Sequence, residues 1–120
     1  MIRVLLVDDH ALMRQGTRAL LSEAEDIEIV AESESGEEAL ILAGEHRPDV
    51  VILDIRLPGL GGVEVARRLR EDLPATRILI LTAYDYDQYV RALFAIGVEG
   101  YLLKNATGQE LIAAVREVYA

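Results

Sequence analysis

The chain has 120 residues, 52% of them hydrophobic, enough for one domain around one substantial core and too few for two. Its formal net charge of −9 makes it a poor ligand for polyanionic DNA or RNA. Cysteine is absent, which excludes disulfides and thiolate metal sites, no apolar stretch is long enough to span a membrane, and the N-terminal apolar run is too short for a signal peptide; a cytoplasmic location with no membrane partner is expected.

Ile2 to Val7 is an apolar run, interrupted by Arg3, that ends in Asp8 and Asp9. Ala11 to Ala24 reads as a helix with Leu12, Ala19 and Leu20 at helical spacing, weakened by Gly16. Ile27 to Ala31 is a short strand. Ser35 and Glu38 form an S-x-x-E capping box that opens a helix through Ala39, Leu40 and Ala43, closed by Pro48. Val50-Val51-Ile52-Leu53 lacks polar alternation, so it reads as a strand buried on both faces, and it leads directly into Asp54. The Leu57-Pro58-Gly59 turn follows, Gly61 and Gly62 loosen the next loop, and Val63, Ala66 and Leu69 mark a helix that stops near Pro74. Ile78 to Leu81 is another buried strand, ending at Thr82. Asp85 and Gln88 can cap a helix carrying Val90, Leu93 and Phe94, which Gly97 terminates. Gly100 to Leu103 is the last strand, ending at Lys104, and a Thr107/Glu110 capping box opens a final helix striped by Leu111, Ile112, Val115 and Val118.

Fivefold alternation of strand and helix predicts an α/β fold: a doubly wound, five-stranded parallel sheet with helices on both faces. For this chain length the flavodoxin-like (CheY-like) order 2-1-3-4-5 is the first choice, with its ligand crevice where strands 1 and 3 diverge. Asp8, Asp9, Asp54, Thr82 and Lys104 all stand at the carboxyl ends of strands, so this winding gathers them at one edge. Three crowded carboxylates repel unless one protonates or a cation enters, and an all-oxygen site favours Mg²⁺ or Mn²⁺. Lys104 and Thr82 add an ammonium and a hydroxyl suited to phosphoryl oxygens. No Walker or dinucleotide glycine pattern follows any strand, and carboxylates at the first turn would repel a nucleotide or flavin phosphate. What remains is a carboxylate that itself accepts a phosphoryl group. His10 and His46, widely separated and without cysteines, read as solvated or structural.

The Asp8-Asp9 pair, Asp54 before an x-x-x-P-G turn, Thr82-Ala83, and Tyr101 three residues before Lys104 together resemble the receiver domains of two-component response regulators. Asp8-Asp9-His10 and Gly100-Tyr101-Leu102-Leu103-Lys104 resemble their NarL/FixJ subfamily. The resemblance covers the whole chain, making residues 1–120 one receiver domain. It implies Asp54 as phosphoacceptor; Asp8, Asp9, Asp54 and the Arg56 backbone carbonyl as metal ligands; Thr82 and Lys104 as phosphoryl contacts; and Tyr101 as an aromatic switch. It further implies a histidine kinase as phosphoryl donor, a DNA-binding output domain outside these residues that controls transcription, and a homodimer as a candidate phosphorylated state. Such a domain is a signalling phosphoacceptor with intrinsic autophosphorylation and autodephosphorylation rather than an enzyme in the ordinary sense. Arg56 and Tyr84, two positions beyond Asp54 and Thr82, are expected to govern access of water to the phosphoryl group. Many receivers carry proline after the lysine, where this chain has Asn105. Two rivals stand beside this reading. One is a Mg²⁺-dependent aspartyl phosphatase, which needs an acid two residues after its nucleophile where this chain has Arg56 or His10. The other is an interaction module that works without phosphorylation.

Overall fold

The computed structural model describes residues 1–83 and 87–120. Along the chain run β1 (Ile2–Val7), α1 (Ala11–Leu21), β2 (Ile27–Ser33), α2 (Gly36–His46), β3 (Val50–Leu53), α3 (Gly62–Asp72), β4 (Arg77–Thr82), α4 (Asp87–Ile96), β5 (Gly100–Leu103) and α5 (Gly108–Tyr119). The strands pair in parallel in the order β2-β1-β3-β4-β5. This is the flavodoxin-like winding expected from the strand-helix alternation.

Side chains alternate across a strand, so the unbroken apolar runs of β1, β3 and β4 feed two cores. Leu5, Val7, Val51, Leu53, Ile78 and Ile80 face one way and pack with Ala39 and Ala43 of α2, Val65, Ala66 and Leu69 of α3, and Leu93 of α4. Val4, Leu6, Val50, Ile52, Leu79 and Leu81 face the other way and pack with Leu21 at the end of α1 and with Leu111, Val115 and Val118 of α5. Each large aliphatic side chain buried here contributes about 1.5–3 kcal/mol. The strands that end at the carboxylates are therefore held rigidly from both sides.

Two helices turn a different face inward than their apolar spacing suggests. In α1 the buried side chains are Thr17 and Leu21, while Leu12 is 83% and Leu20 38% exposed. Thr17 can enter the core because its hydroxyl donates to the Met13 carbonyl at 2.9 Å, a local satisfaction that hydropathy does not register. The helix also ends at Leu21, not Ala24, which is buried beyond it. In α4, Leu93 is buried and Tyr89 and Ile96 pack beside it, whereas Phe94 is 56% exposed. Gly97 ends that helix with φ +94°. The expected Asp85 cap lies outside the described residues. β2 runs two residues further than its apolar part because Ser33 remains in the ladder opposite Val7. The Ser35 hydroxyl accepts from the Glu38 N–H at 3.2 Å, and the Thr107/Glu110 box is complete.

Candidate functional site

Register brings the strand ends level. Val7 pairs with Leu53, Leu53 with Ile80, and Thr82 with Leu103. Backbone bonds extend the ladder one step further, from Asp8 N–H to the Ser33 carbonyl (3.0 Å), from Asp54 N–H to the Val7 carbonyl (3.1 Å), and from Lys104 N–H to the Thr82 carbonyl (2.8 Å). Asp8, Asp9, Asp54, Thr82 and Lys104 thus share one edge of the sheet, as the winding predicts.

The acids there are not left to repel one another. Lys104 Nζ lies 2.8 Å from Asp8 Oδ2 and 2.8 Å from Asp54 Oδ2. Burial opposes the charge on Lys104, but the hydrogen bonds it donates to Asp54 and Asp8 outweigh this and hold the ammonium above the ordinary lysine pKa. Asp8 and Asp54 are both 3% exposed, and Thr82 is fully buried. Asp54 Oδ1 and Asp9 Oδ1 are buried with no hydrogen-bond partner among the described residues. Ligand atoms of Asp8, Asp9, His10 and Asp54 all lie within 4.8 Å of one another.

Several supports of this edge were not singled out by the sequence pattern. Arg14 Nη1 donates to the Asp8 carbonyl at 2.6 Å, and its Nε lies 3.5 Å from Glu32 Oε1, tying the first loop to β2. The i, i+4 step from His10 to Arg14 was the only available signal. His10 joins the acids: its N–H donates to Asp8 Oδ1 at 2.9 Å and its Nδ1 lies 3.1 Å from Asp9 Oδ1. Gly62 packs directly on the Asp54 and Ile55 backbone, so it is a close-approach position rather than a loosened loop. Gly59, at φ +68°, does turn the chain after Pro58.

Tyr101 stands within β5 opposite Ile80, half-buried against the core cluster that α2, α3 and α4 cover. Arg56 is exposed just past the buried Ile55. Tyr84 lies outside the described residues. The Lys104–Asn105 peptide is trans.

A family model described as the response regulator receiver domain matches residues 4–116. The chain is 38% identical over 120 residues to the response regulator GacA of Pseudomonas aeruginosa, covering 100% of this chain and 56% of that protein. It is 42% identical over 119 residues to the oxygen regulatory protein NreC of Staphylococcus epidermidis, covering 98% of this chain and 55% of that protein. The chain thus spans a little over half the length of these relatives. Among solved structures, the signal receiver domain of the response regulator NarL from Mycobacterium tuberculosis matches with a TM-score of 0.94 at 37% identity, covering 98% of this chain and 95% of that one. With winding, edge and relatives in agreement, the chain belongs to the response regulator receiver domain family of two-component systems, on its NarL/FixJ branch.

Proposed function

We propose that Asp54 accepts a phosphoryl group from a phosphohistidine of a histidine kinase and that the resulting acyl phosphate changes the surface of this domain. The observation that carries the reading is the state of the Asp54 carboxylate. It is buried at a rigid strand end, Lys104 holds Oδ2, and Oδ1 has no hydrogen-bond partner among the described residues. An oxygen so placed can attack phosphorus: the new O–P bond forms as the P–N bond breaks, and the donor imidazole keeps that electron pair and takes a proton. Water later cleaves the O–P bond and restores the carboxylate. Lys104 and the Thr82 hydroxyl would meet the phosphoryl oxygens, and Tyr101, already half-buried, would turn inward as Thr82 moves.

The residues fit a divalent cation. Three carboxylates against one ammonium leave two negative charges, two buried oxygens lack hydrogen-bond partners among the described residues, and the donors lie within 4.8 Å. Asp8, Asp9, Asp54 and the Arg56 carbonyl would hold Mg²⁺ or Mn²⁺, which when bound supplies charge neutralisation for the transferring phosphoryl group. Relatives named as a transcriptional regulatory protein and a DNA-binding response regulator support the output reading: a DNA-binding domain outside these residues would read the new surface and control transcription, with a phosphorylated homodimer in the cytoplasm as one form of that surface. Incubation with acetyl phosphate and Mg²⁺ followed by intact mass tests this. One hydroxylamine-labile phosphoryl adduct at Asp54 is expected; an unmodified protein overturns the reading.

A further inference from the structure

The loop that follows Asp54 is fastened at its base and at its tip. The base is closed by the Gly62 N–H, which donates to the Ile55 carbonyl at 2.8 Å. The tip is held from another helix: Glu37 Oε1, in the first turn of α2, accepts from the Leu60 N–H at 3.0 Å. We propose that Glu37 is a positioning residue for phosphoryl transfer, fixing from α2 the segment that joins Asp54 to α3. The inference rests on the reading above that Asp54 is the phosphoacceptor and that Arg56, within this segment, stands at the phosphoryl group.

Contacts from a single helical turn converge on two loop residues. Beside the hydrogen bond, the Glu37 carboxylate lies against Gly59, where a Cβ would stand 2.7 Å from Oε2 and 3.1 Å from Oε1. Gly59 therefore serves twice, since it takes φ +68° and leaves room for the carboxylate. Gly36 comes so near Leu60 that a Cβ there would overlap the Leu60 carbonyl oxygen. The segment from Arg56 to Gly61 has no strand or helix of its own. Leu57 and Leu60 pack on the margin of the core, but apolar contact has no direction, so the hydrogen bond is what sets the backbone over the sheet edge.

The anchor is itself tied to the sheet. Ser33, 1% exposed at the end of β2, donates through Oγ to the Ser35 carbonyl at 2.7 Å and accepts the Ser35 N–H at 3.2 Å. The Ser33 carbonyl accepts the Asp8 N–H at 3.0 Å. A run of hydrogen bonds and one helical turn thus leads from Asp8 through Ser33, Ser35 and Glu37 to Leu60, and it references the loop after Asp54 to the strand that carries Asp8. A loop held in place before the phosphoryl donor arrives does not have to be ordered in the transition state, which is how Glu37 acts on a reaction through its neighbours.

Wild-type, Glu37→Ala, Glu37→Gln and Glu38→Ala proteins should be phosphorylated with acetyl phosphate at saturating Mg²⁺, with the adduct followed by intact mass and hydrogen exchange of the Leu60 amide followed by NMR. Glu37→Ala should form the adduct about fivefold more slowly, the equivalent of one hydrogen bond of about 1 kcal/mol, and its Leu60 amide should exchange faster. Glu37→Gln keeps an acceptor oxygen at the same reach and should restore both readings. Glu38→Ala removes a carboxylate from the same turn and should leave both at the parent values, which separates the hydrogen bond from charge at the helix start. The proposal is overturned if Glu37→Ala reacts at the parent rate, if Glu37→Gln or Glu38→Ala is as slow as Glu37→Ala, or if the Leu60 amide exchanges alike in all four proteins. A wild type that forms no adduct sinks the phosphoacceptor reading, whereas a normal wild-type adduct with an unslowed Glu37→Ala sinks this inference alone.

Discussion

Lys104 Nζ stands 2.8 Å from Asp54 Oδ2, and the same nitrogen is equally close to Asp8 Oδ2. A single ammonium thus offsets two buried carboxylates. Lys104→Met leaves those acids beside Asp9 without this ammonium. The cost should be about 2 kcal/mol, below the 3–5 kcal/mol of a fully buried broken pair because the Lys104 side chain keeps 14% exposure. Urea unfolding should show this loss in metal-free buffer, and added Mg²⁺ should restore more stability to Lys104→Met than to the parent, since it then neutralises acids that have lost their ammonium. Equal Mg²⁺ stabilisation of the two proteins would contradict the idea.

Asp54→Asn tests the phosphoacceptor. The amide is nearly isosteric and a poor nucleophile, so the acetyl phosphate adduct should disappear while the circular dichroism spectrum is unchanged. Crowding of the carboxylates alone would make this variant more stable than its parent. The Lys104 contact opposes that gain, because the substitution also removes half of the ammonium's pairing, so stability should shift by no more than about 1 kcal/mol. An adduct of undiminished yield would reassign the acceptor.

Much of this was legible in the sequence because two signals have little competition. Runs such as Val50-Val51-Ile52-Leu53 can be satisfied only between two helical layers, and once five such units wind in the right-handed sense, register alone brings Asp8, Asp54 and Lys104 level. What stayed hidden depended on satisfaction rather than hydropathy. Thr17 is core because its hydroxyl bonds backward within its own helix, which leaves Leu12 and Leu20 outside. Phe94 faces solvent because Tyr89, Leu93 and Ile96 already fill the inner face of α4. The double contact of Lys104 reaches back 50 residues to Asp54 and 96 to Asp8 and leaves no local spacing to detect.

The capping box at the start of α5, just beyond Lys104, should make stability depend on pH. Glu110 Oε1 accepts from the Thr107 N–H at 3.0 Å, and the Thr107 hydroxyl accepts from the Glu110 N–H at 3.1 Å. The backbone N–H of Thr107, with help from its side chain, holds the Glu110 carboxyl below its ordinary pKa. A lowered folded-state pKa means that the carboxylate contributes stability above the usual glutamate range and loses it as pH falls through the lowered value. Glu110→Gln should therefore be less stable than the parent at pH 7 and match it at strongly acidic pH, by urea unfolding at each. Thr107→Ala should cost about 1 kcal/mol at either pH. A Glu110→Gln deficit that persists in acid would show that the charge is irrelevant.

Arg56 and Tyr84 are proposed to control how long the acyl phosphate survives. Arg56 is exposed immediately after the buried Ile55, two residues beyond Asp54. A guanidinium beside a phosphoryl oxygen and an aromatic ring across the line of water's attack would both protect the ground state. Arg56→Asn combined with Tyr84→Ala should speed autodephosphorylation about tenfold, the equivalent of about 1.4 kcal/mol of lost protection. Decay of the phosphorylated protein in Mg²⁺ without kinase measures it, and decay at the parent rate would remove both residues from the site.

Gly62 is where a single methyl group should separate fold from site. A Cβ built there would meet the Asp54 carbonyl oxygen in hard overlap, with the Ile55 Cα at 2.6 Å and the Ile55 carbonyl oxygen at 2.9 Å. All three are backbone atoms, so no side-chain rotation relieves them. The Gly62 N–H also donates to the Ile55 carbonyl at 2.8 Å, so the first turn of α3 is fastened to the segment that carries Asp54. Gly62→Ala must therefore either lift α3 or push Asp54 out of line with Lys104. Overpacking of this kind costs about 1–3 kcal/mol, and the rigidity of both partners places it at the upper end. Gly44→Ala is the counterpart, because a Cβ there meets nothing within 4 Å and the position lies inside α2. It should stabilise by about 0.5–1 kcal/mol through helix propensity alone. Urea midpoints should move in opposite directions, and only Gly62→Ala should slow formation of the acetyl phosphate adduct under conditions where both proteins remain folded. If Gly62→Ala forms the adduct at the parent rate, the backing glycine does not set the position of Asp54.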